Sequence, residues 1–252
     1  MENDDVQVGQ ILSRREVVGL LGVGGAALLG VPGRLAGDDP GERPAGAPFR
    51  LPACIVRPSQ TEGPYFLDAV LERSDIRPDP SDGSVPEGTP LSLAFRVSRI
   101  GADGCRPLAG AVVDAWQCDA GGVYSGVRDI NGLFDTTGKQ FLRGHQVTGP
   151  DGMARFTTIY PGWYEGRTVH VHFKIRTDPE AERGHEFTSQ LYFDDAVSDR
   201  VFANPPYTGR EGRRRRNRED GIYGSAGDQL LLEVEEADAG LSGVFDVGLQ
   251  IE

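Results

Sequence analysis

The chain is short of several features that would assign it to a common class. Only two of its 252 residues are lysines, Lys139 and Lys174, and the formal net charge is −12. So acidic a chain offers no general attraction for a nucleic-acid backbone. The one basic run, GREGRRRRNRED at 209–220, mixes arginines with acids and reads as a solvated loop held by local carboxylates. Long apolar runs are scarce as well. The uncharged stretch 17–31 is about 15 residues long, short of the ~20 that a membrane helix needs. There are only three cysteines, Cys54, Cys105 and Cys118, and an odd number cannot pair completely. If 111–117 is one extended strand, Cys105 and Cys118 lie more than ~20 Å apart at about 3.3 Å per residue, against the ~6 Å a disulfide spans. A Cys54–Cys118 bond and three free thiols both remain open.

Glycine (35) and proline (17) are plentiful, and apolar residues make up 38% of the chain. Together they point to a turn-rich all-β domain with a real core. From Thr89 onward, strand-like segments fall at 91–100, 111–117, 153–160, 168–175, 187–193, 230–235 and 244–251, with turn sequences between them and no convincing helix. Leu91, Leu93 and Phe95 alternate with Ser92, Ala94 and Arg96, the period of a strand with one buried face. The expected fold is an antiparallel or mixed β-sandwich with long active-site loops and an N-terminal arm.

The N-terminus carries a different message. SRREVV at 13–18 has the form of a twin-arginine export signal, followed by the short apolar run. The expected organisation is a signal over 1–37, a Pro/Gly-rich linker and arm over 38–85, and the sandwich over 86–252. The twin-arginine translocase is then a transient partner, and the destination is periplasmic, extracellular or envelope-associated. That route carries folded proteins, often with a metal already loaded. No clean A-x-A precedes Gly37, so retention as an anchor stays open.

The strand with the most chemistry is TVHVHFKI at 168–175. Strand alternation puts His170, His172 and Lys174 on one face and Val169, Val171, Phe173 and Ile175 on the other. Two imidazoles so placed can reach one metal ion, although H-x-H alone is a weak signal. His145 and His185 lie in turn-rich segments and read as solvated or capping residues. Trp116 and Trp163 read as packing that would keep the site dry.

An ordered series of blocks gives these residues a context: TEGPYF at 61–66, PLAGA at 107–111, VDAWQCDAGGVYS at 113–125, FLRG at 141–144, FTTIYPGWY at 156–164, RTVHVH at 167–172 and TSQLYF at 188–193. In content and order the series resembles the intradiol ring-cleavage dioxygenases. The resemblance implies a mononuclear non-haem Fe(III) held by Tyr124, Tyr164, His170 and His172, a hard cation with anionic phenolate partners. It also implies cleavage of a catechol-type ring by O2 between the two hydroxylated carbons, giving a cis,cis-muconate-type diacid. Tyr164 would leave the metal and take a substrate proton. Arg167 would stabilise negative charge on the substrate, Gln190 would stand beside it, and Tyr65 would line the pocket mouth.

The chain also departs from the pattern. Relatives acting on simple catechol have a helical dimerisation segment and a longer loop between the second tyrosine and first histidine. Here that loop is only residues 165–169, closer to a shortened protocatechuate 3,4-dioxygenase subunit. The short loop implies an open pocket and a bulkier catechol. A secreted non-catalytic sandwich would share the fold and signal without needing Arg167, Gln190 and both tyrosines. A copper or zinc protein would need a third histidine or a carboxylate beside the pair.

Overall fold

The computed structural model describes residues 54–68, 70–102, 104–177, 184–210 and 214–251. The expected signal and most of the linker lie outside the described residues. The alternation read from residue 91 onward becomes β1 (Pro90–Gly101), which buries Leu91, Leu93, Phe95 and Val97. β1 is the spine of the first sheet. One edge pairs in parallel with β9 (Gly240–Gln250), which is flanked by β8 (Glu235–Ala237). The other edge pairs antiparallel with β5 (Met153–Ile159) and β2 (Gly104–Pro107). The second sheet is antiparallel throughout, in the order β4 (Arg143–Val147), β3 (Val112–Trp116), β6 (His170–Thr177), β7 (His185–Tyr192). The fold is therefore the expected mixed β-sandwich.

Phenylalanines from both sheets lock the layers together. Phe95 has ring centroids 6.0 Å from Phe156, 5.1 Å from Phe173 and 6.1 Å from Phe245. Burying one such ring contributes roughly 1.5–3 kcal/mol, so this cluster holds β6 firmly on its inner face. The outer face of β6 is then free to carry polar chemistry. An arm over residues 54–66 crosses that outer side, with Gln60 N–H donating to Thr188 O at 3.1 Å and Ser189 Oγ donating to Pro58 O at 2.8 Å.

Several expectations need correction. Among the described residues there are two short α-helices, α1 (Asp195–Phe202) and α2 (Gly221–Ala226), capped by the Asp194 and Asp220 carboxylates. Eight and six residues are too few to display a helical period. The expected strand at 230–235 is mostly an extended packing segment. Leu230 and Leu232 are buried, and Leu232 N–H donates to Tyr192 O at 2.8 Å, but ladder pairing resumes only in β8. β2 and β4 were not foreseen, because GCRP and RGHQV show no apolar alternation. Cysteine pairing also differs. Cys54 bonds Cys105 with Cα atoms 5.8 Å apart, and Cys118 is free and buried. The bond ties the start of the arm to the first sheet, whereas Cys118 lies just past the end of β3 in the second.

Candidate active site

His170 and His172 stand on the outer face of β6, while Val169, Val171, Phe173 and Ile175 enter the core as expected. The Thr168 carbonyl lies 2.7 Å from His170 Nδ1. A carbonyl only accepts, so Nδ1 carries the proton and the lone pair is on Nε2. His172 presents its own Nε2 3.1 Å away. Trp116, its cross-strand partner on β3, lies flat on the His172 ring, with centroids 5.0 Å apart and planes 8° apart. Burial pushes the His170 pKa down to about 3, with Arg167 adding to the effect. Burial, the neighbouring His170 and Arg167 hold His172 well below its ordinary value. Both rings are neutral near neutral pH.

Two glycine turns deliver the tyrosines. Gly122 has φ +84°, and a Cβ there would lie 2.3 Å from Trp163 O. In the facing turn, a Cβ on Gly162 would lie 2.4 Å from Ala120 O. The turns at 119–122 and 161–163 thus pack backbone against backbone, joined by Gly162 N–H to Asp119 O at 3.0 Å. The chain leaving each turn aims its tyrosine inward. Tyr124 Oη comes within 3.3 Å and Tyr164 Oη within 3.2 Å of His170 Nε2. Burial raises the Tyr124 pKa well above its ordinary value, and raises Tyr164 to about 12 against the opposing charge of Arg167.

Four donor atoms therefore meet at one point, and the chemistry of the set tests whether a metal fits. Three of the donor atoms stand 3.1–3.3 Å from the fourth, near enough for one ion to be shared among them. The His170 Nε2 lone pair is crowded by these three groups, His172 Nε2 and the two phenol oxygens, all turned to the same point. Two buried phenols are costly to ionise unless a cation offsets the charge. The donors suit a hard multivalent cation. Among the described residues no cluster of three His, Cys, Asp or Glu side chains adds to the pair. His145 sits in β4 opposite Asp114, and His185 begins β7 opposite Thr177, both away from this point.

Around the donors lies a second tier. Arg167 donates through Nε to Asp220 Oδ2 at 2.8 Å and through Nη2 to Gln190 Oε1 at 2.5 Å. Gln190, opposite His172 on β7, donates to Thr61 O at 2.9 Å, and Tyr192 Oη donates to Gln60 Oε1 at 2.6 Å. Tyr65 is buried, its ring 4.7 Å from Tyr124 and its hydroxyl 2.5 Å from Asp129 Oδ1. Gly63, at φ +77°, passes over His172, and a Cβ there would lie 3.2 Å from Cε1. Lys174 clasps the arm through Glu62 and holds Glu186 at 2.8 Å.

A dioxygenase family model matches residues 61–238. An intradiol ring-cleavage dioxygenase of Tetranychus urticae shares this fold with a TM-score of 0.65 and 30% identity, covering 78% of this chain and 95% of that one. The chain belongs to the intradiol ring-cleavage dioxygenases. The dioxygenase domain of a carbohydrate-binding fusion protein from Streptomyces sp. SirexAA-E is another similar structure, with a TM-score of 0.54, 32% identity, and coverage of 78% and 99% of the two chains. Catechol 1,2-dioxygenase 1 of Acinetobacter lwoffii is 31% identical over 185 residues, 62% of this chain and 54% of that protein. The chain spans about half the length of the curated relatives it matches.

Of the seven residues expected at the dioxygenase site, Tyr124, Tyr164, His170 and His172 meet at the centre, with Arg167 and Gln190 beside them. Tyr65, expected at the pocket mouth, is instead buried, with its ring against Tyr124 and its hydroxyl on Asp129. Sequence reading missed Asp220 and Asn217, whose arginine-rich surroundings read as solvated. Arg214 and Arg216 do pair with Asp195 and Asp199. Asn217, however, turns inward, accepting from Thr168 Oγ1 at 2.6 Å. A polar Asn and Asp flanking a short helix gave the only signal available.

Proposed function

We propose that this protein is a non-haem ferric dioxygenase that cleaves catechol-type rings between their two hydroxylated carbons, giving cis,cis-muconate-type diacids. The convergence of two phenols and two neutral imidazoles on one point supports this reading most strongly. Tyr124, Tyr164, His170 and His172 would hold Fe(III), which supplies a Lewis acid and template for the catechol and O2.

The protein residues divide the remaining work by their environment. Tyr124 is fully buried behind Tyr65 and is the fixed ligand. Tyr164 is less buried and precedes the exposed residues Glu165 and Gly166, so it is the phenol able to swing and accept a substrate proton. Arg167 brings a permanent positive charge into a dry site, where it opposes negative charge on the bound substrate. Gln190 fixes one of its nitrogens, and Trp116, Phe66 and Tyr65 keep water out.

The relatives are named for catechol, chlorocatechol and protocatechuate, and the short segment 165–169 favours an open pocket that admits a substituted ring. The SRREVV motif supports export of the loaded, folded enzyme by the twin-arginine route, and the Cys54–Cys105 bond suits an oxidising destination. A panel of catechols tests the function through oxygen uptake and product analysis. The reading expects ring opening between the hydroxyl-bearing carbons for at least one member. Opening beside the hydroxyls, or no uptake by iron-loaded protein across the panel, contradicts it.

A further inference from the structure

Asp220 is 2% exposed, although it ends the arginine-rich stretch. Its two oxygens have separate partners. Oδ1 accepts from Ile222 N–H at 2.8 Å and Tyr223 N–H at 3.3 Å, capping α2. Oδ2 accepts from Arg167 Nε at 2.8 Å and from Thr168 N–H at 2.8 Å. Each of those partners leads on to the site. Arg167 continues through Nη2 to Gln190, and the Thr168 carbonyl receives the Nδ1 proton of His170.

We infer that Asp220 is a positioning residue: one buried carboxylate oxygen sets the Arg167 guanidinium by its Nε and fixes the backbone of Thr168, the residue whose carbonyl orients His170. The inference rests on the function proposed above and gives it a support outside the ligand set. A guanidinium held only at Nη2 by Gln190 keeps rotational freedom about its long stem. A second anchor at Nε removes that freedom and leaves the remaining N–H groups pointed at the site. The same oxygen neutralises the buried cation, so the arginine stays in a pocket it would otherwise leave for water. Asp220 also accounts for the inward turn of a loop whose composition favours solvent. α2 begins on it, and Gln60 donates to Ile222 O at 3.0 Å, joining this helix to the arm.

Asp220→Asn separates capping from positioning. The amide oxygen can still cap α2, but the amide nitrogen then faces two donors, Arg167 Nε–H and Thr168 N–H. In the iron-loaded enzyme, Asp220→Asn and Arg167→Ala should each lower kcat by about 10–100-fold, the cost of a misplaced group, with a smaller change in KM. The double variant should be slower than Arg167→Ala by much less than the full Asp220→Asn factor, because the two changes share the loss of the set guanidinium and only the hold on Thr168 is lost separately. Hydrogen exchange at the Thr168 amide supplies a readout apart from activity, and should quicken about tenfold or more in Asp220→Asn. Losses that multiply in the double variant, or an unchanged Thr168 amide, overturn the inference. If Asp220→Asn does not fold, the same cycle with Asp220→Glu decides between merging and multiplying losses. A wild-type enzyme that binds iron but opens no catechol defeats the proposed function instead, while the Thr168 exchange still reports whether Asp220 holds that peptide.

Discussion

Trp116 and His172 face each other across neighbouring strands with their rings stacked, 5.0 Å between centroids and 8° from parallel. The stack orients an imidazole whose buried Nδ1 has no hydrogen-bond partner among the described residues. Most metal-binding histidines are aligned by a hydrogen bond to the second nitrogen, and here an indole face takes that part.

Trp116→Ala should therefore do more than leave a hole. Removing a buried indole costs about 3–5 kcal/mol of stability, and loss of the orienting surface should weaken iron binding by about 10–100-fold. Urea unfolding and competition with a chelator measure the two effects separately. His172 left as well oriented by the smaller side chain would appear as unchanged iron affinity.

Gly63 approaches the same His172 imidazole at its Cε1 edge. Its φ of +77° disfavours any L side chain, and a Cβ would press on Cε1 at 3.2 Å. Gly63→Ala should cost about 1–2 kcal/mol in stability and lower iron occupancy, read from thermal melts and metal analysis. The same substitution at Gly83, also at positive φ but with open space around it, should cost stability without touching iron.

Acid should loosen the loop that follows the arm through Asp79, whose carboxylate accepts from Gln140 N–H at 2.9 Å. Burial alone would raise its pKa, but bonds from the Ser81 hydroxyl and the Gln140 and Ser81 amides outweigh it, and the carboxyl sits below its ordinary 3.8. A depressed carboxyl adds stability that is complete above the unfolded value and is lost as pH falls through the folded one. Stability should accordingly decline below about pH 4, and Asp79→Asn should flatten that decline. Urea midpoints from pH 2 to 6 for both proteins check the slope.

The Cys54–Cys105 bond closes a separation of 51 residues, a loop for which a disulfide contributes roughly 2–4 kcal/mol. The Cys54→Ser, Cys105→Ser protein should melt lower by a corresponding margin, whereas Cys118→Ser, which removes a buried unpaired thiol, should leave no effect of reductant beyond that seen in wild type. Melts with and without reductant make the comparison.

What the sequence made legible follows from which signals are local. Alternation in β1 and β6 depends on neighbours two apart, so the buried Leu91, Leu93 and Phe95 and the facing His170 and His172 were readable from residue type. Tyr124 and Tyr164 were not readable that way. Their meeting depends on two glycine turns that touch across 40 residues of chain, Gly162 N–H to Asp119 O among them, and only the family blocks pointed to them. Asp220 is 52 residues from Thr168, and its polar, arginine-rich setting looks the same whether the loop turns out or in. Cys54 and Cys105 are likewise brought together by sheet packing, and strand geometry near Cys118 had no bearing on that pair. β4 escaped notice because RGHQV pairs on both sides through its backbone without an apolar face.

The visible spectrum of the iron-loaded protein tests the central claim most directly. Two tyrosinates on one ferric ion should give a broad charge-transfer band and a reddish colour. Tyr124→Phe and Tyr164→Phe should each retain iron yet lose a substantial part of that absorption, with the band shifted. A protein with stoichiometric iron and no such band, or a band indifferent to both substitutions, would contradict the assignment of Tyr124, Tyr164, His170 and His172 as the ligand set.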